Sequence, residues 1–230
     1  MLEVEGLNAW YGESHALHGL NLRIAQGQVV TMLGRNGAGK TTAMRSIMGL
    51  LKKRKGTIRF CGQDIIEATP RAIARTGIGY CPEDRGIFAS LTVKENLLLP
   101  PVIQAGGYSM EKIFTLFPNL RERLASMGGN LSGGEQQMLA IARILRTGSR
   151  LLLLDEPTEG LAPIIVEQIG HAIRQLKQDG YTILLVEQNF HFAASIADTH
   201  FIIEGGRTIR MMSASEVAAE RDGIHRYLGV

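Results

Sequence analysis

The eight residues from 34 to 41, GRNGAGKT, constrain the fold of this chain more than any other stretch. They fit the pattern G-x-x-x-x-G-K-[ST] without a gap. They follow the apolar run VVTML at 29–33 and lead into a segment with helical spacing at 41–50. A loop of this kind joins a buried strand to the N-terminus of a helix. The sequence therefore predicts a strand–loop–helix unit within an α/β fold.

The residue types of this loop suit a nucleoside triphosphate. Its three glycines permit backbone angles that turn successive N–H groups into one concavity, and the helix adds the positive end of its dipole. A lysine can reach the β- and γ-phosphates, and a threonine hydroxyl can bind Mg²⁺. A glycine-rich turn without a ligand is the alternative, and it leaves the complete motif unexplained. The residues predicted to surround the phosphates are Gly34, Arg35, Asn36, Gly37, Ala38, Gly39, Lys40, Thr41 and Thr42.

Two carboxylates follow the apolar run RLLLL at 150–154. Carboxylates at the end of a buried strand are costly unless they meet a metal ion or a reacting group. Asp155 suits Mg²⁺, directly or through a water molecule. Glu156 suits the orientation or deprotonation of the attacking water. The alternative is a solvated strand end with two surface acids, which the nearby phosphate loop makes the weaker hypothesis.

The remaining segments predict a mainly parallel sheet, because buried strands alternate with helices. Residues 2–33 show strand patterns, and further strands are predicted at 56–61, 150–155 and 181–187. The basic run LKKRKG at 51–56 is predicted to be the solvated end of a helix before a glycine stop. Ligands of such sheets gather at the carboxyl ends of the strands, where the motifs above fall.

The pattern changes between residues 85 and 145, where helix-like segments are broken by Pro and Gly and no strong strand is found. This part is predicted to be a helical insertion into the α/β core. We therefore expect a single domain over residues 1–230. Its core is predicted at 1–84 and 146–230, and its helical subdomain at 85–145.

A second helix start with glycines lies in LSGGEQQ at 131–137. Ser132 and Glu135 match a capping box, but Gly133 and Gly134 each cost about 1 kcal/mol relative to Ala inside a helix. Bare backbone at the positive end of a helix can press closely on phosphate. Since the loop at 34–41 already surrounds one nucleotide, the simplest role is in trans, on the γ-phosphate of ATP held by another copy or homologue.

Composition indicates which partners and which cellular compartment are expected for this chain. The formal charge of +3, without a dense Lys/Arg stripe, gives little reason to expect nucleic-acid binding. No apolar run approaches the ~18 residues of a membrane span, and the acidic start MLEVE is unlike a secretory signal. Cys61 and Cys81 cannot build a disulfide framework. A reducing cytosol is expected, and work at a membrane would require another protein to hold the chain there.

GRNGAGKTT, LSGGEQQ and LLLLDEP, in this order, resemble the motifs of the ATP-binding cassette (ABC) ATPases. The resemblance covers essentially the whole chain, and the set of three is highly specific. It implies a P-loop NTPase fold with a mainly parallel core sheet, an N-terminal antiparallel β subdomain and a helical insertion. It also implies a head-to-tail pair of cassettes. Two ATP molecules with Mg²⁺ would lie between the phosphate loop of one cassette and residues 132–135 of the other.

Smaller features of the family match less evenly. Tyr11, in AWYG, matches the aromatic residue that stacks on adenine; Trp10 is a competing candidate, and an edge-strand aromatic is the alternative. Glu83, in CPEDRGIF, stands where the family usually has a Gln that touches Mg²⁺ and the transporter subunit. Glutamate can still ligate Mg²⁺ but adds a negative charge. Residues 160–162 correspond to the loop that crosses the dimer interface.

Gln188, in LLVEQNF, occupies the position at which many cassettes have a His that contacts the γ-phosphate. An amide can hydrogen-bond phosphate but cannot shuttle a proton. His191 is a substitute or simply an early helix residue. PE at 82–83, EQQMLAIAR, LAPIIVEQI and LVEQN resemble the ATPase subunits of branched-chain amino-acid importers, in which Gln is usual here. The resemblance thus gives Gln188 and Glu156 catalytic roles and predicts import of branched-chain or related amino acids.

The resemblance predicts a peripheral protein on the cytoplasmic face of the inner membrane. Its implied partners are integral-membrane permease subunits, a second cassette (a sister subunit or another copy) and, indirectly, a solute-binding protein. No nucleic acid is expected. Two alternatives stay open: a soluble cassette ATPase acting on nucleic acid or ribosomes, and a nucleotide kinase or GTPase switch. The former usually has two cassettes or a long coiled insertion, and the latter leaves LSGGEQQ without a role.

Overall fold

The computed structural model describes residues 1–220. In this range the chain forms strands and α-helices, with one 3₁₀ turn at Gly128–Asn130. The strands are β1 (Leu2–Tyr11), β2 (Ser14–Ile24), β3 (Val29–Leu33), β4 (Lys53–Phe60), β5 (Gln63–Asp64), β6 (Ile78–Cys81), β7 (Leu151–Asp155), β8 (Thr182–Glu187), β9 (Thr199–Glu204) and β10 (Arg207–Ser213). The helices are α1 (Lys40–Ile47), α2 (Pro70–Arg75), α3 (Val93–Leu98), α4 (Met110–Leu116), α5 (Pro118–Glu122), α6 (Gly133–Arg146), α7 (Pro163–Gln178), α8 (Phe190–Ile196) and α9 (Ala214–Ala219).

The central sheet has the strand order β10-β9-β3-β8-β7-β6. All its neighbours pair in parallel except β9 and β10, which form an antiparallel hairpin. Every residue of β3, β7 and β8 is buried, as expected for strands covered on both faces. The predicted mainly parallel core sheet is therefore confirmed.

A second sheet, in the order β2-β1-β4-β5, is antiparallel throughout. Its inward residues, such as Leu2, Val4 and Leu20, join α1 in a core cluster with Val30 and Met32 of the central sheet. The opposite face of the central sheet packs on α6 and α7 through a second cluster. The N-terminal antiparallel β layer is confirmed, and the central sheet lies between two apolar layers.

Residues 93–146, all described, contain α3 to α6 and the 3₁₀ turn but no named strand. Helix α3 packs on α6, and α6 contacts β6, so the helices adjoin the edge of the central sheet. Thr92 and Glu95 form a full capping box at the start of α3. The division of the chain into a core at 1–84 and 146–230 and a helical subdomain at 85–145 stays a prediction.

The interpretation of the basic run as a helix end was wrong. Helix α1 ends at Ile47, and Gly49 then adopts a φ of +71° that reverses the chain. Lys53, Arg54 and Lys55 belong to β4 and lie opposite β1. Strand β4 therefore begins before the predicted range 56–61, because cross-strand pairing outweighs the local pattern of charges.

A buried hydrogen bond links two neighbouring strands of the central sheet. Thr31 Oγ1 lies 2.7 Å from Nδ1 of His200, and both residues are fully buried. The Nε2 atom of His200 has no hydrogen-bond partner among the described residues. Burial lowers the pKa of His200 to about 4, with a smaller opposing effect of Asp198. The imidazole is therefore neutral in the fold at neutral pH.

We expect this histidine to make the fold acid-sensitive. In the unfolded chain the histidine pKa is about 6.5, so the unfolded state binds a proton that the folded state excludes as the pH falls from 6.5 to 4. The loss of stability is expected to be about 2 kcal/mol at pH 5. Urea unfolding at pH 7 and pH 5 measures it. In His200→Asn, which cannot take up that proton, the difference should shrink by this amount; an unchanged difference would contradict the assignment.

Candidate functional site

The glycine-rich loop at 34–39 lies between the end of β3 and the start of α1. Gly39 is the N-cap residue of α1 and has a φ of +105°, which L side chains rarely adopt. At Gly34, a Cβ atom would lie 2.2 Å from the carbonyl oxygen of Ile203 in β9. The loop is thus wedged against the sheet, and these two glycines are required by conformation and by close packing.

Lys40 is almost fully buried at the N-terminus of α1. Its Nζ donates to the carbonyl oxygens of Gly34 at 2.8 Å and Arg35 at 3.1 Å, across the mouth of the loop. The same Nζ lies 3.7 Å from Oε1 of Glu156. The ammonium group is therefore held at the centre of the loop, where an anion on the loop's N–H groups would meet it.

Asp155 ends β7 beside the loop. Its Oδ1 accepts a hydrogen bond from Thr41 Oγ1 at 3.1 Å, and its Oδ2 accepts one from the Tyr80 hydroxyl at 3.1 Å. Burial raises the pKa of Asp155 to about 6; the two hydrogen bonds oppose this rise, and the nearby Glu156 and Glu83 carboxylates add to it. A cation between Asp155 and Thr41 would relieve this concentration of negative charge. Oxygen donors of this kind fit Mg²⁺.

Glu156 directly follows and has a φ of +48°, in the left-handed region that a non-glycine residue seldom adopts. Its Oε2 accepts a hydrogen bond from Gln188 Nε2 at 2.6 Å. A hydrogen bond with Glu156 raises the pKa of Glu159, the next carboxylate of the same turn. His191 instead lies exposed in the first turn of α8, with its ring centroid 6.0 Å from that of Phe190.

These elements enclose a polar cavity of about 290 Å³. The cavity brings together the loop, the acids after β7 and the amide after β8, as the predicted grouping at the carboxyl ends of parallel strands requires. Its lining residues are Asn36, Gly37, Gly39, Lys40, Thr41, Thr42, Glu83, Glu156, Glu159 and Gln188. Asp155 lines an adjoining cavity of about 600 Å³, to which Thr41 and Glu83 also contribute.

The two aromatic candidates lie on opposite sides of β1. The Tyr11 ring is 43% exposed, and the Arg45 guanidinium of α1 is 5.8 Å from its centre. Trp10 instead stacks on His15, with ring centroids 4.3 Å apart and planes within 9°. Lys53 Nζ also lies 5.7 Å from the centre of the Trp10 ring. Trp10 therefore meets both a stacked imidazole and a cation, whereas the exposed Tyr11 meets the Arg45 cation.

The helix start in LSGGEQQ is a full capping box, as predicted. Ser132 Oγ accepts from the Glu135 N–H at 3.3 Å, and Glu135 Oε2 accepts from the Ser132 N–H at 2.8 Å. Gly134 is buried, and a Cβ there would lie 2.7 Å from Ile165 of α7. The second glycine thus has a packing reason within this chain, which sequence reasoning missed. Within the described residues, none of 132–135 lines the cavity around Lys40.

Sequence reasoning also missed four residues that support this site. Tyr80 donates to Asp155, and Glu159 shares the turn of Glu156. Thr158 Oγ1 donates to the buried Glu187 Oε1 at 2.8 Å. Glu187 carried a signal, because it ends the apolar strand at 182–187 just as Asp155 ends its own. Tyr80 carried none, since a tyrosine in a short strand is ordinary.

No helix within residues 1–220 combines the length and the apolar character that a membrane crossing requires.

Comparison with known proteins identifies the family. The family described as ABC transporter matches residues 17–159, more than half of the chain. The chain is 39% identical to the high-affinity branched-chain amino acid transport ATP-binding protein BraG of Pseudomonas aeruginosa, over the full length of both. It is 36% identical to the probable branched-chain amino acid transport ATP-binding protein LivF of Archaeoglobus fulgidus, over 94% of each.

A more distant relative has another named task. The lipopolysaccharide export system ATP-binding protein LptB of Haemophilus influenzae is 31% identical, over 100% of this chain and 97% of that protein. Relatedness of this degree therefore extends across transport systems that act on different substances.

Solved structures show the same architecture. A nucleotide-free ATP-binding cassette from an ABC transporter superposes with a TM-score of 0.86 at 25% identity, covering 100% of this chain and 98% of that one. A dimeric bacterial ABC transporter cassette gives a TM-score of 0.82 at 25% identity, over 93% and 99%. The phosphate loop, the acids after β7, the capped helix start at Ser132 and these matches lead to one conclusion: the chain belongs to the ABC transporter family and is an ATP-hydrolysing cassette.

Proposed function

We propose that this ATPase energises an importer of branched-chain or related amino acids. The observation that supports the proposal most directly is the end-to-end similarity to the branched-chain transport ATP-binding proteins BraG and LivF. The amide of Gln188, in contact with Glu156, is consistent with the same group of cassettes. As such a subunit, the protein would lie on the cytoplasmic face of the membrane, held there by permease subunits.

The cavity around Lys40 is the proposed nucleotide site. The N–H groups of residues 34–39 and the dipole of α1 would hold the β- and γ-phosphates, with Lys40 between them. Thr41, Asp155 and Glu83 are the proposed Mg²⁺ ligands, and their oxygens fit a cation that is usually bound through one or two carboxylates and substrate phosphates. When bound, Mg²⁺ would neutralise charge on the phosphate oxygens.

Hydrolysis is proposed to use Glu156 as the general base. Its carboxylate would accept a proton from the water that attacks the γ-phosphorus, and ADP would leave with the electrons of the broken P–O bond. Gln188 would orient Glu156 and hydrogen-bond the γ-phosphate. The buried setting suits this work, because water-excluded sites strengthen electrostatic interactions.

A second cassette is proposed to complete the site. Residues 132–135 lie outside the cavity of their own chain, so Ser132 and Gly133 are free to cover the γ-phosphate of ATP held by a partner cassette. Glu135 would act by fixing the Ser132 backbone and Gly134 by close packing on Ile165. The dimeric bacterial cassette supports such an arrangement. The partner is proposed to be a sister cassette or a second copy.

Tyr11 is proposed to stack on adenine. We expect Tyr11→Ala to weaken ATP binding about five- to tenfold, the usual loss when an aromatic partner of a base is removed. Tyr11→Phe, which keeps the ring, should bind within twofold of wild type. Trp10→Ala is the matched control on the neighbouring residue and should also bind within twofold. Equilibrium binding of a fluorescent ATP analogue measures all three, and a larger loss in Trp10→Ala would transfer the role to Trp10.

The transport role is tested by purifying the complex. A tagged Glu156→Gln variant, in which slow hydrolysis should preserve the ATP-bound dimer, is purified with ATP from detergent-solubilised membranes. Mass spectrometry then identifies the proteins that accompany it. We expect two strongly hydrophobic permeases and a second cassette. Transport of radiolabelled leucine in cells lacking this chain then tests the amino-acid class.

Other results would redirect the proposal. Ribosomal proteins or nucleic acid without a permease would favour a soluble cassette ATPase. Permeases without loss of leucine uptake would keep the transporter role and exclude branched-chain amino acids. Copurified proteins of a lipopolysaccharide export system would assign the chain to the task named for LptB.

A further inference from the structure

We propose that Thr158 and Glu187 form a buried pair that positions Glu156 and Gln188 for hydrolysis. Neither Thr158 nor Glu187 lines the cavity around Lys40, so both are positioning residues and not catalytic ones. The inference rests on the proposed role of Glu156 as the general base, and it adds two residues to the reaction that the sequence motifs do not assign.

The pair closes a ring of contacts behind the cavity. Glu156 begins a turn in which the Glu159 N–H donates to the Glu156 carbonyl oxygen at 3.2 Å. Thr158, inside this turn, donates its hydroxyl to Glu187 Oε1 at 2.8 Å. Gln188 directly follows Glu187 and donates to Glu156 Oε2 at 2.6 Å. Glu156 and Gln188 are therefore connected in two ways: directly by their own hydrogen bond, and indirectly through the Thr158–Glu187 bond.

The backbone of Glu156 explains why such a tie is needed. A non-glycine residue at a φ of +48° is strained by about 1–2 kcal/mol and persists only where its surroundings hold it. The bond from the Glu156 N–H to the Val186 carbonyl, at 3.0 Å, holds the start of the turn to β8. The Thr158–Glu187 bond holds the turn two residues further on. The Thr158 backbone N–H also interacts with the Glu187 carboxylate, so loss of the hydroxyl weakens this second anchor of the turn.

Burial of the Glu187 carboxylate costs desolvation free energy, which a single hydrogen bond from Thr158 does not explain. Glu187 is 2% exposed, and its Oε2 is 3.4 Å from the Asn189 N–H as a second, longer contact. Burial raises the pKa of Glu187 to about 7 despite these donors, and the Glu156 carboxylate adds to the rise. Burial of the Glu187 carboxylate is unfavourable for packing alone. Its hydrogen bonds instead connect the turn after β7 to the turn after β8.

Loss of the tie should slow the chemical step more than it weakens ATP binding. Misplacement of a catalytic group by a fraction of an ångström lowers the rate, whereas the phosphate loop and Lys40 stay in place. For Thr158→Val, which keeps the shape and removes the hydroxyl, we expect kcat to fall about tenfold and KM for ATP to stay within twofold. Thr158→Ser, which restores a hydroxyl, should return kcat to within threefold of wild type.

Glu187→Gln tests the other side of the pair. A glutamine cannot accept from both the Thr158 hydroxyl and the Asn189 N–H, because one of its two terminal atoms is a donor. Its kcat should fall by a similar factor. The double variant should be no slower than the slower single variant, since both changes open the same ring of contacts. Steady-state ATP hydrolysis measures every variant, with the full-length chain assayed together with the partner cassette that completes its site.

The matched control is Thr31→Val, which removes another buried threonine bond of the same sheet, to His200, away from the cavity. It should lower the unfolding midpoint and leave kcat within twofold of wild type. The proposal is wrong if Thr158→Val and Glu187→Gln keep kcat within twofold, or if Thr31→Val loses as much. Should Glu156→Gln itself hydrolyse ATP normally, the assignment of the base fails first, so the two failures are distinguishable.

Discussion

Glu156→Gln is expected to hydrolyse ATP at least about 100-fold more slowly than wild type, a loss of about 2.7 kcal/mol of transition-state stabilisation. The amide keeps the shape of the side chain and can still accept the hydrogen bond from Gln188, but it cannot take a proton from water. ATP affinity should stay within about threefold, because Lys40 and the loop are unchanged. Single-turnover hydrolysis and equilibrium binding separate the two quantities.

Glu159→Gln is the control for this prediction. Glu159 lies three residues further along and lines the same cavity, so its replacement removes a carboxylate of similar position and equal charge. We expect its rate to fall less than tenfold. If both variants lose the same factor, the cavity needs negative charge in general and Glu156 has no special role as a base. If neither loses activity, the base lies elsewhere.

Much of the fold followed from residues whose physical requirements are local. The motif at 34–41 needs a strand before it and a helix after it, and β3 and α1 meet that need. The mostly apolar runs at 29–33 and 150–154 fit strands buried on both faces. The carboxyl ends of such strands meet at one edge, so the sequence places Asp155 and Gln188 near the loop.

Other features depend on contacts between distant parts of the chain. A side chain at Gly134 would force Ile165 of α7 to move, and the sequence LSGGEQQ gives no sign of that neighbour. The basic run forms a strand because its residues pair with β1. The Thr158–Glu187 bond joins residues 29 positions apart. Each of these features depends on tertiary contacts, which the composition and periodicity of a short segment do not reveal.

The second large effect is expected from Lys40→Met. Methionine nearly matches the length of lysine but carries no charge, so the phosphates lose a charge-assisted partner that is worth about 10- to 100-fold in affinity. The variant should also unfold more easily by about 1–3 kcal/mol, because two carbonyl oxygens and the buried Glu156 carboxylate lose their cation. Calorimetric ATP titration and urea unfolding measure the two effects independently.

Lys177→Met provides the same substitution at a partly exposed ion pair. Lys177 lies near the C-terminal end of α7, and its Nζ is 2.5 Å from Asp198 Oδ1. Both side chains are about one-third exposed. We expect ATP affinity to be unchanged and stability to fall by no more than about 1 kcal/mol, the usual range for surface pairs. Equal losses of affinity in the two variants would mean that overall charge attracts the nucleotide. A loss confined to Lys40→Met means that the position of the ammonium group, inside the loop and against Glu156, is what the phosphates require.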